Sequence, residues 1–202
     1  MNELPLRRAP LAGVCSALAG VAWVAWIAIN SRTHGGLDAG PAAVGEGLAR
    51  IGSLLMVAWN LLLLPAALEL ESSLNPRGEL APRVVTLAGM VSLVFWAFGG
   101  ATRTIGGTLE TTYIFLSAVW WGGVGFWMLR VRPMFARFTI VLAAFALWDA
   151  IVSGIVGVPF SLFLTAAPKL PLSIVWDFWL AWVLLDPRAH EHAFDSSARI
   201  NI

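Results

Sequence analysis

The sequence predicts an all-α membrane protein, a polytopic bundle of six transmembrane helices that forms a single domain over residues 1–202. The first observation behind this prediction is composition: 58% of the residues are hydrophobic, 12% are charged and the mean hydropathy is +0.78. Soluble domains carry about 25% charged residues. The second is that the apolar residues fall into six stretches, most of them close to the ~20 residues that an α-helix needs to cross a bilayer. These stretches leave little chain for a soluble domain.

The first three spans are predicted over residues 11–30, 51–70 and 84–101. Arg7 and Arg8 precede the first of them, as basic residues precede the apolar core of a signal peptide. The apolar run is longer than the roughly 7 to 15 residues of such a core, and further spans follow it. We therefore interpret the first span as a retained helix.

The last three spans are predicted over residues 113–131, 138–158 and 170–185. The connections between spans are short except for residues 31–50, where five glycines indicate irregular structure. An even number of spans places both termini on the same side of the membrane.

The distribution of basic residues predicts which side that is, since cytoplasmic loops carry an excess of lysine and arginine. On the side opposite the termini lie Arg32, Arg50, Arg103 and Lys169. On the side of the termini lie Arg7, Arg8, Arg77, Arg83, Arg130, Arg132, Arg137, Arg188 and Arg199. We therefore expect a multi-pass protein of the cell inner membrane with both termini in the cytoplasm.

Asp149 and Asp177 are acids that lie within predicted spans. An ionisable group in hydrocarbon costs about 2.5 kcal/mol or more, so each needs a partner, a watery cavity or a proton. Asp149 lies about 17 Å from Phe138, near the midplane, and Asp177 is expected about 10 Å below the outer surface. Two carboxylates at neighbouring depths in a low dielectric do not both ionise, so at least one would carry a proton. Arg103, at the outer mouth, is the candidate counter-ion.

Helical spacing places both aspartates on small, polar helix faces, which favours contact with protein over lipid. The polar candidates beside them are Asn60, Ser153 and Ser173. The candidates for aromatic walls of the same site are Trp23, Trp96 and Trp121. Serines and glycines on such faces also serve ordinary helix packing. The tryptophans of the sixth span point away from its aspartate and are expected to face lipid: Trp176, Trp179 and Trp182.

Other chemistries lack the residues they require. The three histidines fall outside the spans, and Cys15 is the only cysteine, so we expect no metal site and no cofactor. The formal net charge of +1 gives no basic surface for nucleic acid.

The general layout, with a basic turn Arg130-Val131-Arg132-Pro133 after the fourth span, resembles uncharacterised six-helix bacterial integral membrane proteins. This resemblance carries over no activity and no site residues.

Three functional hypotheses follow. The first is a small transporter or ligand-binding protein in which the aspartate pair binds a proton or a small cationic or hydrophobic ligand, with cation–π support from the aromatic walls. The second is a membrane-embedded acid/base enzyme, of isomerase or cyclase type, in which Asp149 and Asp177 act on a lipid-like or isoprenoid substrate. The third is a noncatalytic subunit that assembles with itself or with other membrane chains. In each of them, membrane lipid surrounds the protein.

Overall fold

The protein is all-helical in the part of the chain that the computed structural model describes, residues 9–33, 46–75, 78–102, 107–156 and 167–186. The helices are α1 (Ala9–Thr33), α2 (Glu46–Leu74), α3 (Leu80–Thr102), α4 (Gly107–Met128), α5 (Pro133–Val156) and α6 (Ala167–Leu185). They correspond one to one with the six predicted spans.

Four of these helices, α1, α2, α3 and α5, are long and apolar enough to cross a membrane. Many large apolar side chains on the outside of the bundle are exposed, as in a protein surrounded by hydrocarbon. These features define the chain as a membrane protein by length and composition. α4 and α6 belong to the same bundle, since α4 packs against α3 and α5, and α6 packs against α1 and α5.

The six helices close into a ring. Each packs against the next one in chain order, and α6 packs against α1. Successive helices are antiparallel neighbours, as short connections require. Among neighbours in the ring, the backbones of α4 and α5 lie closest together and those of α5 and α6 lie furthest apart. Large aromatic side chains fill the space between α5 and α6.

The helices begin earlier than the predicted spans. α4 starts at Gly107 and not at residue 113, and α5 starts at Pro133 and not at residue 138. Proline suits the first position of a helix because its missing N–H is not needed there. Glu110 lies in the first turn of α4, where the helix dipole favours an acid. A search for apolar residues alone misses these polar first turns.

The close contact between α4 and α5 depends on glycines of α4. A Cβ added to Gly125 would lie 2.7 Å from Ile140 Cγ1 and 3.0 Å from the carbonyl oxygen of Ala136. One turn away, a Cβ on Gly122 would lie 3.7 Å from Ala143 Cβ, an ordinary contact distance. The backbones of α4 and α5 thus meet most closely at Gly125, as small residues allow in membrane bundles.

Candidate functional site

Asp177 lies in the middle of α6 and is completely buried, with a relative exposure of 0%. Its Oδ2 accepts a hydrogen bond of 2.8 Å from Nε1 of Trp59 on α2. Its Oδ1 has no hydrogen-bond partner in the described part of the chain. A buried oxygen without a donor is costly in a structure where most buried polar atoms are paired. Asp177 is therefore the centre of the candidate site.

The first helix holds the backbone at Asp177 in place. Ser16 Oγ donates a hydrogen bond of 2.9 Å to the main-chain carbonyl of Asp177. α1 presents small residues to α6, among them Gly13 and Gly20, and a Cβ at Gly13 would collide with Leu185. Because of these small residues, α1 approaches α6 closely enough for the serine to reach its main chain.

A stack of three indole rings lies beside the carboxylate. Trp23 stacks on Trp26 at 4.5 Å between ring centroids and on Trp59 at 4.3 Å. Trp23 Nε1 also donates a hydrogen bond of 2.8 Å to Ser173 Oγ, one turn before Asp177 on α6. Trp23 and Ser173 were both predicted to belong to the site, and here Trp23 contacts both Ser173 and Trp59, the donor to Asp177. Because Trp23 stacks on two other indoles, little of its ring face is left for a cation.

Further polar atoms in the interior are unpaired. Asn60, next to Trp59 on α2, is completely buried; its Nδ2 donates to the carbonyl of Met56 at 2.8 Å. Asn60 Oδ1 has no donor within the described residues, and Nε1 of Trp120 and of Trp121 has no acceptor there. The described interior thus has two unpaired acceptors, Asp177 Oδ1 and Asn60 Oδ1, and two unpaired donors, the indole N–H groups of Trp120 and Trp121. Atoms of this kind are expected to bind water or a small polar ligand.

The prediction for the tryptophans of α6 is wrong for Trp176, which is completely buried. Its Nε1 donates to Thr139 Oγ1 on α5 at 3.0 Å, and its ring packs edge-on against Trp120 and Trp121 at 5.5 Å and 5.9 Å. Trp179 is also packed, against Phe135 and Phe138 of α5.

Only Trp182 of the three is exposed, at 58%, and it lies under the Arg132 guanidinium. α6 has helices on two sides, so the face with Asp177 meets α1 and α2 while the face with Trp176 meets α4 and α5. Spacing within one helix does not reveal this second buried face.

Asp149 has a basic partner, Lys169, which was not among the predicted site residues; the predicted counter-ion was Arg103. The ammonium group of Lys169, at the start of α6, donates to Asp149 Oδ2, and the two side chains are 14% and 4% exposed. The burial of Asp149, with Ala146 and Ala150 beside it, confirms that it faces protein. Lys169 was assigned to a span end, but its long side chain reaches the neighbouring antiparallel helix.

The order of depths also differs from the prediction. Asp177 lies eight residues past Lys169, about 12 Å further along α6 at 1.5 Å per residue. Asp149, bound to Lys169, is thus nearer the end of the bundle, and Asp177 is the deeper acid. The main reason is that α5 begins at Pro133, which moves its midpoint away from Asp149. The two carboxylates share no hydrogen bond, since Asp177 Oδ2 pairs with Trp59 and Asp177 Oδ1 is unpaired.

Glu110 lies at the same end of the bundle, ahead of the predicted fourth span. The Lys169 ammonium attracts its carboxyl group electrostatically and the Asp149 carboxylate repels it. Glu110, Asp149 and Lys169, contributed by α4, α5 and α6, therefore form one charged group, which is called the outer cluster because the sequence predicts that this end of the bundle faces outward.

The other predicted site residues are distributed more widely. Trp121 is buried beside Trp176, and Trp96 is partly buried and packs near Tyr113, at 6.4 Å between ring centroids. Arg103 and the side chain of Ser153 lie outside the described residues. The expectation that Arg103 is the counter-ion of the site therefore stays a prediction.

Sequence reasoning missed three residues. Trp59 was one of eleven tryptophans, and nothing in the spacing marked it as the donor to Asp177. Lys169 and Glu110 lie at helix ends, where charged residues are common. The sequence did contain a signal for Lys169. Lys169 lies at the start of α6, and α6 follows the helix that carries Asp149, so an antiparallel pair of helices brings the two residues to the same end.

Fold and site together define the class of this chain: an all-helical protein with helices of membrane-crossing length and a buried, incompletely paired carboxylate inside a ring of six. Comparison with known proteins finds no matching family model, no matching curated protein and no matching solved structure.

Proposed function

We propose that this chain is a small multi-pass membrane transporter in which Asp177 binds the transported or coupling proton. The observation that carries the proposal is the carboxylate of Asp177: completely buried, held by the Trp59 N–H at Oδ2 and unpaired at Oδ1. A carboxylate inside a membrane protein is expensive unless a cation or a proton neutralises it.

A proton fits this site better than an organic cation. The ring faces of Trp23 and Trp59 are stacked on one another, which leaves little room for an aromatic cage. The unpaired acceptors, Asp177 Oδ1 and Asn60 Oδ1, each lack a hydrogen-bond donor. A proton on Asp177, alone or with water that donates to Asn60, supplies donors without needing a large cavity.

The pairing of Asp149 with Lys169 favours transport over the acid/base enzyme. Acid/base catalysis by two aspartates needs both to act on one substrate, whereas Asp149 is engaged by an ammonium group and Asp177 by an indole. We assign Asp149 to the outer cluster and proton binding to Asp177.

The proposal includes the location of the protein. The excess of arginines on the side of the termini supports an orientation with both termini in the cytoplasm of a cell inner membrane. All six helices would span that membrane, α4 and α6 included. The end of the bundle with Lys169 would then face outward.

Proton flux in proteoliposomes with an internal pH-sensitive dye tests the proposal. Asp177→Asn keeps the shape of the side chain and removes its ability to exchange a proton, so we expect flux to fall at least about tenfold, or 1.4 kcal/mol in a rate barrier. Glu79→Gln, the same change at an exposed acid, is the matched control and should leave flux unchanged. Wild-type flux no greater than in empty vesicles, or equal flux in the wild type and Asp177→Asn, would contradict the proposal.

A further inference from the structure

We infer that Asp177 is reached from one end of the bundle only, along a polar line on α6 that the Asp149–Lys169 ion pair closes. The line consists of Lys169, Ser173 and Asp177. This inference deepens the proposed function, on which it rests, by identifying the route and the gate of the proton site.

The line follows from the spacing of its members. Lys169, Ser173 and Asp177 are four residues apart, so each lies about 6 Å along the helix from the next and turns by about 40° around it. The line therefore winds from the side of α6 that faces α5, where Lys169 binds Asp149, to the side that faces α1 and α2, where Asp177 meets Trp59. Ser173 connects the two, with a hydroxyl that accepts from Trp23 and donates to the Leu170 carbonyl.

Beyond Asp177 the same face of α6 is apolar. The next residue at this spacing is Ala181, which is as buried as Ser173 (4% against 3% exposed), so the two sides differ in polarity and not in burial. α1 packs against this segment so closely that a Cβ at Gly13 would lie 2.7 Å from Leu185 Cγ and 3.2 Å from the Ala181 carbonyl. This segment offers apolar, close-packed side chains, and a proton or water has nothing to bind along it.

The outer cluster lies at the polar end of the line. The side chains of Lys169 and Asp149 are 14% and 4% exposed, and their ion pair lies one turn nearer the start of α6 than Ser173. It joins α5 to α6, the neighbouring helices whose backbones lie furthest apart in the ring. Glu110 is close enough to this pair to interact electrostatically with both of its members. Separation of Lys169 from Asp149 would therefore open the line without disturbing the closely packed helix pairs.

Cysteine labelling tests the route independently of transport. Cys15, the only cysteine, is first replaced in Cys15→Ala. Ser173→Cys and Ala181→Cys then place a thiol four residues to either side of Asp177, as a matched pair. The purified proteins in lipid nanodiscs are treated with ethylammonium methanethiosulfonate, a small cationic thiol reagent, and modification is followed by mass spectrometry of the intact chain.

We expect Ser173→Cys to react at least about tenfold faster than Ala181→Cys, which is 1.4 kcal/mol in the barrier. Adding Lys169→Met with Asp149→Asn, which removes the ion pair without leaving the Asp149 carboxylate unpaired, should raise the rate at Ser173→Cys about tenfold further and leave Ala181→Cys unchanged. Global unfolding raises both rates alike, so the ratio of the two rates distinguishes gating from loss of structure.

Three results would overturn the inference: equal rates at the two positions, faster reaction at Ala181→Cys, or no reaction at Ser173→Cys even without the ion pair. Its failure is distinct from failure of the proposed function. If flux depends on Asp177 but Ser173→Cys does not react, only the proposed route is rejected. If Ser173→Cys reacts but flux is the same in the wild type and Asp177→Asn, the transport proposal is rejected and the polar line remains as a cleft that the reagent reaches.

Discussion

Asp149 and Asp177 bear the cost of burial in different ways. Lys169 neutralises Asp149 directly, and the pair gains the attraction of opposite charges in a low dielectric. Asp177 has one indole N–H and an unpaired oxygen. The ion pair supplies a partner for the Asp149 carboxylate, whereas an incompletely paired acid is suited to taking up and releasing a proton. This difference in surroundings is the basis for proposing Asp177, and not Asp149, as the proton-binding residue.

The ion pair predicts a non-additive effect on stability. Lys169→Met alone leaves the Asp149 carboxylate buried without its cation and should lower the free energy of unfolding by about 3 kcal/mol. Adding Asp149→Asn removes the orphaned charge, so the double variant should be more stable than Lys169→Met alone. Unfolding midpoints in detergent for the wild type, both single variants and the double variant measure this coupling. A double variant less stable than Lys169→Met would show that the charges do not interact as described.

At the scale of whole helices, neighbouring pairs meet in two ways. α4 and α5 meet at glycines, where main chains come close, while α5 and α6 are held apart by the large rings of Phe135, Phe138, Trp176 and Trp179. Close contacts through small residues resist separation, because any added atom meets backbone. The seam between α5 and α6 is instead held by interlocking side chains and by the ion pairs Asp149–Lys169 and Arg132–Asp186.

The close approach of α4 and α5 predicts a difference between two glycines one turn apart. Gly125→Ala would place a methyl group 3.0 Å from the Ala136 carbonyl oxygen, which cannot move aside, so we expect a loss of about 1–3 kcal/mol in stability. Gly122→Ala, with its nearest contact at 3.7 Å, is the matched control and should be neutral or slightly stabilising because alanine favours helix. Thermal unfolding of both variants in detergent compares them. Equal midpoints would mean that α4 and α5 lie further apart than described here.

At the scale of the molecule, closure of the ring brings residues distant in sequence into one site. α6 packs against α1, and this contact places Ser16 and Trp23 beside Asp177. Trp59 then reaches Asp177 from α2, over 118 positions in sequence. The site is assembled from the beginning and the end of the described chain, so it forms only when the ring has closed.

The proposed orientation predicts the behaviour of reporter fusions. A fluorescent protein fused after Ile202 should fluoresce, and alkaline phosphatase fused there should be inactive, since that enzyme needs the far side of the membrane to fold. The reason is the excess of arginines on the side of the termini, which favours a cytoplasmic location for that side. A phosphatase fusion at residue 105, between α3 and α4, is the matched control and should be active. The reverse pattern would invert the orientation and place Lys169 on the cytoplasmic side.

The sequence alone determined the elements of this protein. Composition and the length of the apolar stretches predicted six helices, because the bilayer imposes the same length requirement on every span. Burial of the faces that carry Asp149 and Asp177 also followed from spacing, because a charged group is excluded from lipid wherever the helix lies.

Tertiary structure decided the pairings. Whether Asp149 meets Arg103, Lys169 or Asp177, and whether Trp176 meets lipid or Thr139, depends on which helices are neighbours and how far each begins before its apolar core. Spacing within one helix gives the direction of a side chain but not what lies in that direction. The closed ring, with α6 between α1 and α5, supplies that second piece of information, and it leaves Asp177 as the incompletely paired acid of the two.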